Sequence, residues 1–130
     1  ETAGTATGRL LESFPDTGAI CYMNDTLAVG GGRFLLGNGR ERFRHILLAG
    51  FNNNESVIRN FPLPITSVSF DLNEIAELLI QNALHDGPCR LMLYPKIHIR
   101  TPREKPGDFP DWVENTIDLK PRIDSKPKGE

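Results

Sequence analysis

Asp71 and Glu74 stand three positions apart at the head of an apolar run, and they are the strongest local instruction in this 130-residue chain. An aspartate at the N-cap and a glutamate at the third helical position can close a reciprocal box around the free amides of a helix start. Behind them Leu72, Ile75, Ala76, Leu78, Leu79, Ala83 and Leu84 return to one stripe at helical spacing, and Gly87-Pro88 stops the chain. The pattern predicts one amphipathic helix over about 72–84. Such a helix needs an apolar layer to lie on.

The layer is read from strand-like segments on either side. Ile65–Phe70 alternates polar and apolar residues with Val68 and Phe70 inward. Cys89–Arg100 reads as a strand pair or one bent strand, with Leu91, Leu93, Ile97 and Ile99 alternating around Tyr94-Pro95. Earlier, Ala19–Met23, Leu27–Val29, Arg33–Leu36 and Glu41–Phe51 are separated by Asn24-Asp25, Gly30-Gly31-Gly32 and Gly37-Asn38-Gly39, residues that hairpin turns require. The fold class that follows is α+β: a mostly antiparallel β-sheet or small barrel with the single helix packed on it.

A chain of this length closes one core, and 38% hydrophobic with 25% charged residues is the balance of a globular domain. Residues 1–17 are small and polar and read as a flexible N-terminal arm ending in the turn Pro15–Gly18. Residues 18–100 form the core domain. Beyond Thr101, five prolines interrupt any ladder, so 101–130 reads as an extended Pro-rich tail. Its single tryptophan, Trp112, with Phe109 nearby, is the group by which the tail docks, either onto the body or onto a partner. The longest apolar runs fall far short of the roughly 20 residues of a membrane-spanning helix. Residues 1–9 have no apolar segment of the secretory type. The expectation is a soluble chain, with its compartment open. Cys21 and Cys89 allow one bridge or two buried thiols.

Most catalytic chemistry finds no footing. Asp16-Thr17-Gly18-Ala19 resembles the active-site tetrapeptide of the retroviral-type aspartic proteases, but Ser13-Phe14-Pro15 precedes it where that family has an apolar strand. Gly39-Arg40-Glu41 also follows too soon to be that family's later Gly-Arg segment, so Asp16–Gly18 reads as a β-turn. The glycine clusters lack the phosphate-loop pattern, and His45, His85 and His98 lack metal-ligand spacing. No nucleophile elbow is present, and no cofactor is expected.

Two charge patterns remain. If Gly39–His45 is a strand, Arg40, Arg42 and Arg44 share a face, and Lys96, His98 and Arg100 share a face in the same way. Lys and Arg total 15 against 17 Asp and Glu, so an anion-binding site must be a local patch of this kind. These six residues make the expected anion or nucleic-acid site of a non-enzymatic binding module engaging nucleic acid or an acidic protein surface. Solvent-facing polarity on half-exposed strands would produce the same alternation. Two alternatives are a metal-independent ribonuclease or toxin domain using His45 or His98, and an oligomeric assembly protein, for example a viral shell component, with arm and tail contacts between subunits. Asn52-Asn53-Asn54 reads as a contact site or a solvated turn.

Overall fold

The computed structural model describes residues 2–84, 92–103 and 112–120. In chain order the elements are α1 (Ala3–Ser13), β1 (Ala19–Cys21), α2 (Asp25–Gly37), α3 (Arg40–Phe43), β2 (Leu47–Phe51), α4 (Glu55–Ile58), β3 (Ile65–Ser69), α5 (Leu72–Ala83), β4 (Lys96–Pro102) and β5 (Trp112–Asp118). The strands form one sheet in the order β1-β2-β3-β4-β5. β1, β2 and β3 run parallel, whereas β4 is antiparallel to both β3 and β5. The class is α+β, but the sheet is mixed rather than mostly antiparallel, and it is an open sheet rather than a barrel. Helical crossovers decide this: α2 with α3, and then α4, carry the chain back between strands, and a strand entered after such a crossover lies parallel to its predecessor.

The largest departure from the hairpin expectation is α2, which occupies the segment predicted as two short strands. Asn24 caps it by accepting from the Leu27 amide at 2.9 Å, and Asp25 sits in the first turn, where the helix dipole favours an anion. Ala28, Val29 and Leu35 are buried on its inner face. Gly31 and Gly32 are not turn residues here. A Cβ on Gly32 would lie 2.7 Å from the Phe61 ring, and one on Gly31 would collide with the Tyr22 hydroxyl. The glycines let a helix lie close against its neighbours.

The arm expected over residues 1–17 is instead folded as α1. Thr2 caps it, accepting from the Thr5 amide at 3.2 Å. The small residues that suggested flexibility allow close packing on α2, since a Cβ on Gly8 would lie 2.9 Å from the Phe34 ring. Buried Thr7 donates to the Ala3 carbonyl and meets the Tyr22 hydroxyl, each at 2.7 Å. Residues 40–43 are helical rather than the start of a strand. Gly39 turns the backbone at φ 105°, and Phe43 then packs against the core.

α5 begins where its capping residues dictate, with Asp71 accepting from the amides of Asn73 and Glu74 at 3.1 and 3.2 Å. The Glu74 side chain does not return to close the box; it pairs with Lys120 at 2.8 Å. The helix was expected to pack on the sheet, yet none of its residues is buried, and Leu72, Leu79 and Ile80 are exposed. Part of the expected tail is the fifth strand, and Trp112 at its start is 7% exposed, its indole N–H donating to the Phe61 carbonyl at 3.2 Å. Phe109 and Cys89 lie outside the described residues; Cys21 is an exposed free thiol.

Side-chain alternation gives the sheet two unlike faces. Ile20, Leu48, Ile65 and Ser67 are buried toward α2, joined by His98, Arg100 and Trp112. Ile20, Ala28, Val29, Leu35, Ile46, Leu48, Phe61 and Ile65 make the core. Among the described residues no helix is long and apolar enough to cross a membrane.

Candidate functional site

Lys96, His98 and Arg100 do share one face of β4, as their alternation requires, but it is the covered face and each cation has a carboxylate. Arg100, its side chain 1% exposed, meets Glu114 Oε2 at 2.6 Å and donates to the Ile65 carbonyl at 3.0 Å and to Asn53 Oδ1 at 2.7 Å. Its guanidinium lies 5.1 Å from the Trp112 ring centre, and its Nε is buried with no partner. His98 bridges Glu114 Oε1 through Nδ1 and Ser69 Oγ through Nε2, both at 2.9 Å. Lys96 pairs with Asp71 at 3.2 Å.

Burial pushes the Glu114 carboxyl up, but the His98 hydrogen bond and the Arg100 charge outweigh it and hold Glu114 below the usual carboxylate range. Asp71 is likewise held low, first by the Glu74 amide and then by Lys96.

The arginines of the other stripe stand elsewhere. Arg40 starts α3. Arg42 lies over the Phe43 ring at 5.0 Å, and exposed Arg44 is 3.8 Å from Glu41. α3 is not a strand of the sheet, so the two stripes are not neighbouring ladders. His45 is exposed ahead of β2, whereas His98 is buried within β4 with both ring nitrogens engaged.

A different cluster forms where β1, β2 and β3 end. In open sheets with parallel strands, ligands bind outside the carboxyl ends of the strands. Here three loops meet: residues 22–24 after β1, 52–54 after β2, and 70–71 after β3. The loop after β2 is the unusual one. Asn52 and Asn53 take φ values of 92° and 49°, the only non-glycine residues at positive φ among those described. Two consecutive residues in this sparsely populated region persist only where their surroundings fix them.

Asp25 supplies much of that fixing. It is 1% exposed, accepts from Ser67 Oγ and from the Asn54 amide at 2.6 Å each, and so ties the start of α2 to β3 and to the asparagine loop. Gly50 makes the approach feasible, since a Cβ there would lie 2.9 Å from the Asp25 Cα. The Asn53 amide donates to Ser67 Oγ at 3.0 Å and the Asn52 amide to the Val68 carbonyl at 2.7 Å. Backbone and buried groups hold the loop, while the Asn52 side chain is exposed. Phe51 precedes it in the chain, its ring centre 6.2 Å from that of Phe70, and Met23 in the loop after β1 is 87% exposed.

The arrangement offers side-chain amides beside an aromatic pair on a preset backbone, the mixture by which a small polar molecule with apolar faces is oriented. Asn52–Asn54 was legible as a polar loop, read either as a contact segment or as a solvated turn. Asn24-Asp25 was not, because the same dipeptide serves a hairpin turn and a helix cap. Among the described residues no group of His, Cys, Asp and Glu could hold a metal ion.

No protein-family model and no curated protein matches the chain. Among solved structures it is similar to a transcriptional regulator, CelR, in complex with cellobiose, with 25% identity and a TM-score of 0.58. The match covers 73% of this chain and 31% of that one, so the chain spans about a third of the regulator's length.

Proposed function

We propose that this chain is a ligand-binding module of regulator type, and that its ligand is a small polyhydroxylated molecule of the carbohydrate class, bound at the ends of β1, β2 and β3. The observation that carries the reading is the pair of left-handed asparagines after β2, held from below by Asp25 and Ser67. Asn52 offers both a donor and an acceptor to hydroxyl groups. The Phe51–Phe70 pair offers rings against which the apolar face of a pyranose packs. Similarity to a regulator solved with cellobiose favours the same class of ligand.

A polyanionic partner draws little support, because Lys96, His98 and Arg100 are paired with Asp71 and Glu114, and Arg44 stands 3.8 Å from Glu41. The test is a titration of the isotope-labelled chain with cellobiose and a panel of mono- and disaccharides, followed by amide chemical shifts. Saturable shifts gathered at Met23, residues 51–54 and Phe70, weakened at least tenfold by Asn52→Ala, support the reading. Flat titrations across the panel at millimolar sugar end it.

A further inference from the structure

Among the described residues the sheet face turned away from α2 carries no helix and is mainly apolar, with exposed Thr101 and Asn115 as polar members on β4 and β5. Ala19, Cys21, Leu47 and Phe51 are exposed along β1 and β2, with Leu47 at 68%, and Val113 and Ile117 are 49% and 40% exposed on β5. Ala49, Thr66, Val68, Ile97 and Ile99 lie half-buried between them. Every charged residue of the five strands, Lys96, Arg100, Glu114 and Asp118, falls at positions of the opposite parity and faces the other way. Parallel strands are ordinarily covered on both faces. Among the described residues these have a helix, α2, packed on one.

We infer that this face is an interface between two copies of the chain, packed sheet to sheet about a twofold axis. Area supports it. Five strands at about 4.8 Å spacing, most of them about 17–23 Å long, present a projected face of roughly 400–500 Å². Side-chain relief brings the accessible area to on the order of 700 Å² per copy, which exceeds an ordinary surface patch and places two copies within the roughly 1,200–2,000 Å² of a stable interface.

Charge selects the occupant. A partner of one sign would need a rim of the opposite sign, but the charged pair bordering this face, Glu41 and Arg44, carries one of each. An identical copy meets no like charge across the centre, and a twofold interface requires that self-complementarity. A recess of about 700 Å³ opens at this face, lined by Phe43, Leu47, Leu63, Thr66 and Ile99, and reaches Leu35, Leu48 and Arg100 of the core side. It gives the protruding side chains of the facing copy somewhere to enter. Aligned sheets stack about 10 Å apart, a spacing that Leu47 and Ile99 can bridge from both sides.

The experiment is sedimentation equilibrium of the full chain from 1 to 200 µM, with Leu47→Glu and Ile99→Glu as separate variants. Leu47 is largely exposed in one copy, so its replacement leaves the core intact, which far-UV circular dichroism and a retained unfolding transition check. The expected result is twice the 14.5 kDa chain mass at high concentration. Each variant should raise the dissociation constant at least 100-fold. Methyl and amide shifts of the unmodified chain should change with concentration at Leu47, Val68, Ile97 and Ile99. A monomer throughout the range overturns the inference and leaves the face to another polypeptide. A dimer or larger species indifferent to Leu47→Glu overturns it as well. Phe51 belongs to both this face and the strand-end site, so sugar binding is titrated on the Leu47→Glu monomer, where loss of the dimer leaves Asn52 and the Phe51–Phe70 pair in place.

Discussion

Arg100 and Asn53 are 47 positions apart in the chain and meet at 2.7 Å, guanidinium to amide oxygen, beneath the sheet. Arg100 is clamped from its other side by Glu114 of β5 and by the Ile65 carbonyl. A strut therefore runs from the edge strand to the asparagine loop of the candidate site. β5 is more than a tail laid on the sheet, because its Glu114 neutralises the charge that holds Asn53.

The strut predicts coupled energies. Arg100→Met leaves Glu114 short of its nearest partner and Asn53 without its donor, and should cost on the order of 3 kcal/mol, part of the full buried-pair penalty because Glu114 is partly solvated. Asn53→Gly keeps the left-handed backbone and removes only the acceptor, at about 1 kcal/mol. The double variant should lose less than the sum by about 1 kcal/mol, since the two act through one contact. Urea denaturation of the four proteins measures the cycle, and strict additivity would show that the contact contributes nothing to folding.

The acid limb of stability should carry the same cluster. Glu114 and Asp71 both have folded carboxyls held below their ordinary values. A depressed carboxyl contributes stability above its unfolded pKa of about 4 and loses it as pH falls through the folded value. Tyr22 works at the other end: burial raises its hydroxyl pKa against the opposing Thr7 bond, so its contribution is present below about 10 and lost above that. The unfolding midpoint should be flat with respect to these groups from about pH 5.5 to 9 and fall on either side. Glu114→Gln should flatten the acid limb, and an unchanged limb would remove Glu114 from the account.

Asn52 separates backbone strain from ligand contact. At φ 92° a side chain with a Cβ is strained, so Asn52→Gly should hold stability within about 0.5 kcal/mol, and Asn52→Val should lose about 1–2 kcal/mol. Both remove the exposed amide, so both should weaken binding of cellobiose or whichever sugar of the panel binds. Binding retained by Asn52→Gly would take the Asn52 side chain out of the site.

How much of this could be read from residues alone follows the range of the interaction responsible. α5 and its N-cap were legible because Asp71 caps amides two and three positions away. The shared face of Lys96, His98 and Arg100 was legible because strand parity is local. Its partners were not, since Glu114 lies 14 to 16 residues onward and no pattern announces it. The parallel strands were missed for one reason: Gly30-Gly31-Gly32 satisfies hairpin chemistry locally, and only Tyr22 and Phe61, close in space, explain why a helix carries it. The candidate site shared that fate, because Asp25 acquires its role from Ser67, 42 positions away.

The glycines of α2 supply the sharpest check on that reassignment. In a hairpin turn Gly31 and Gly32 would serve left-handed backbone, whereas in α2 neither has positive φ and what matters is the space beside each. Gly32→Ala places a methyl 2.7 Å from the Phe61 ring and 3.1 Å from Leu48, inside the core, and should cost about 1–3 kcal/mol through overpacking. Gly37, at the far end of the same helix, has nothing within 4 Å of its would-be Cβ. Gly37→Ala should therefore stabilise by up to about 1 kcal/mol, since alanine loses less backbone freedom on becoming helical. Opposite signs from thermal or urea unfolding are the signature of one helix packed at its middle and free at its end. Two destabilising results of equal size would return this stretch to the turn that its composition suggests.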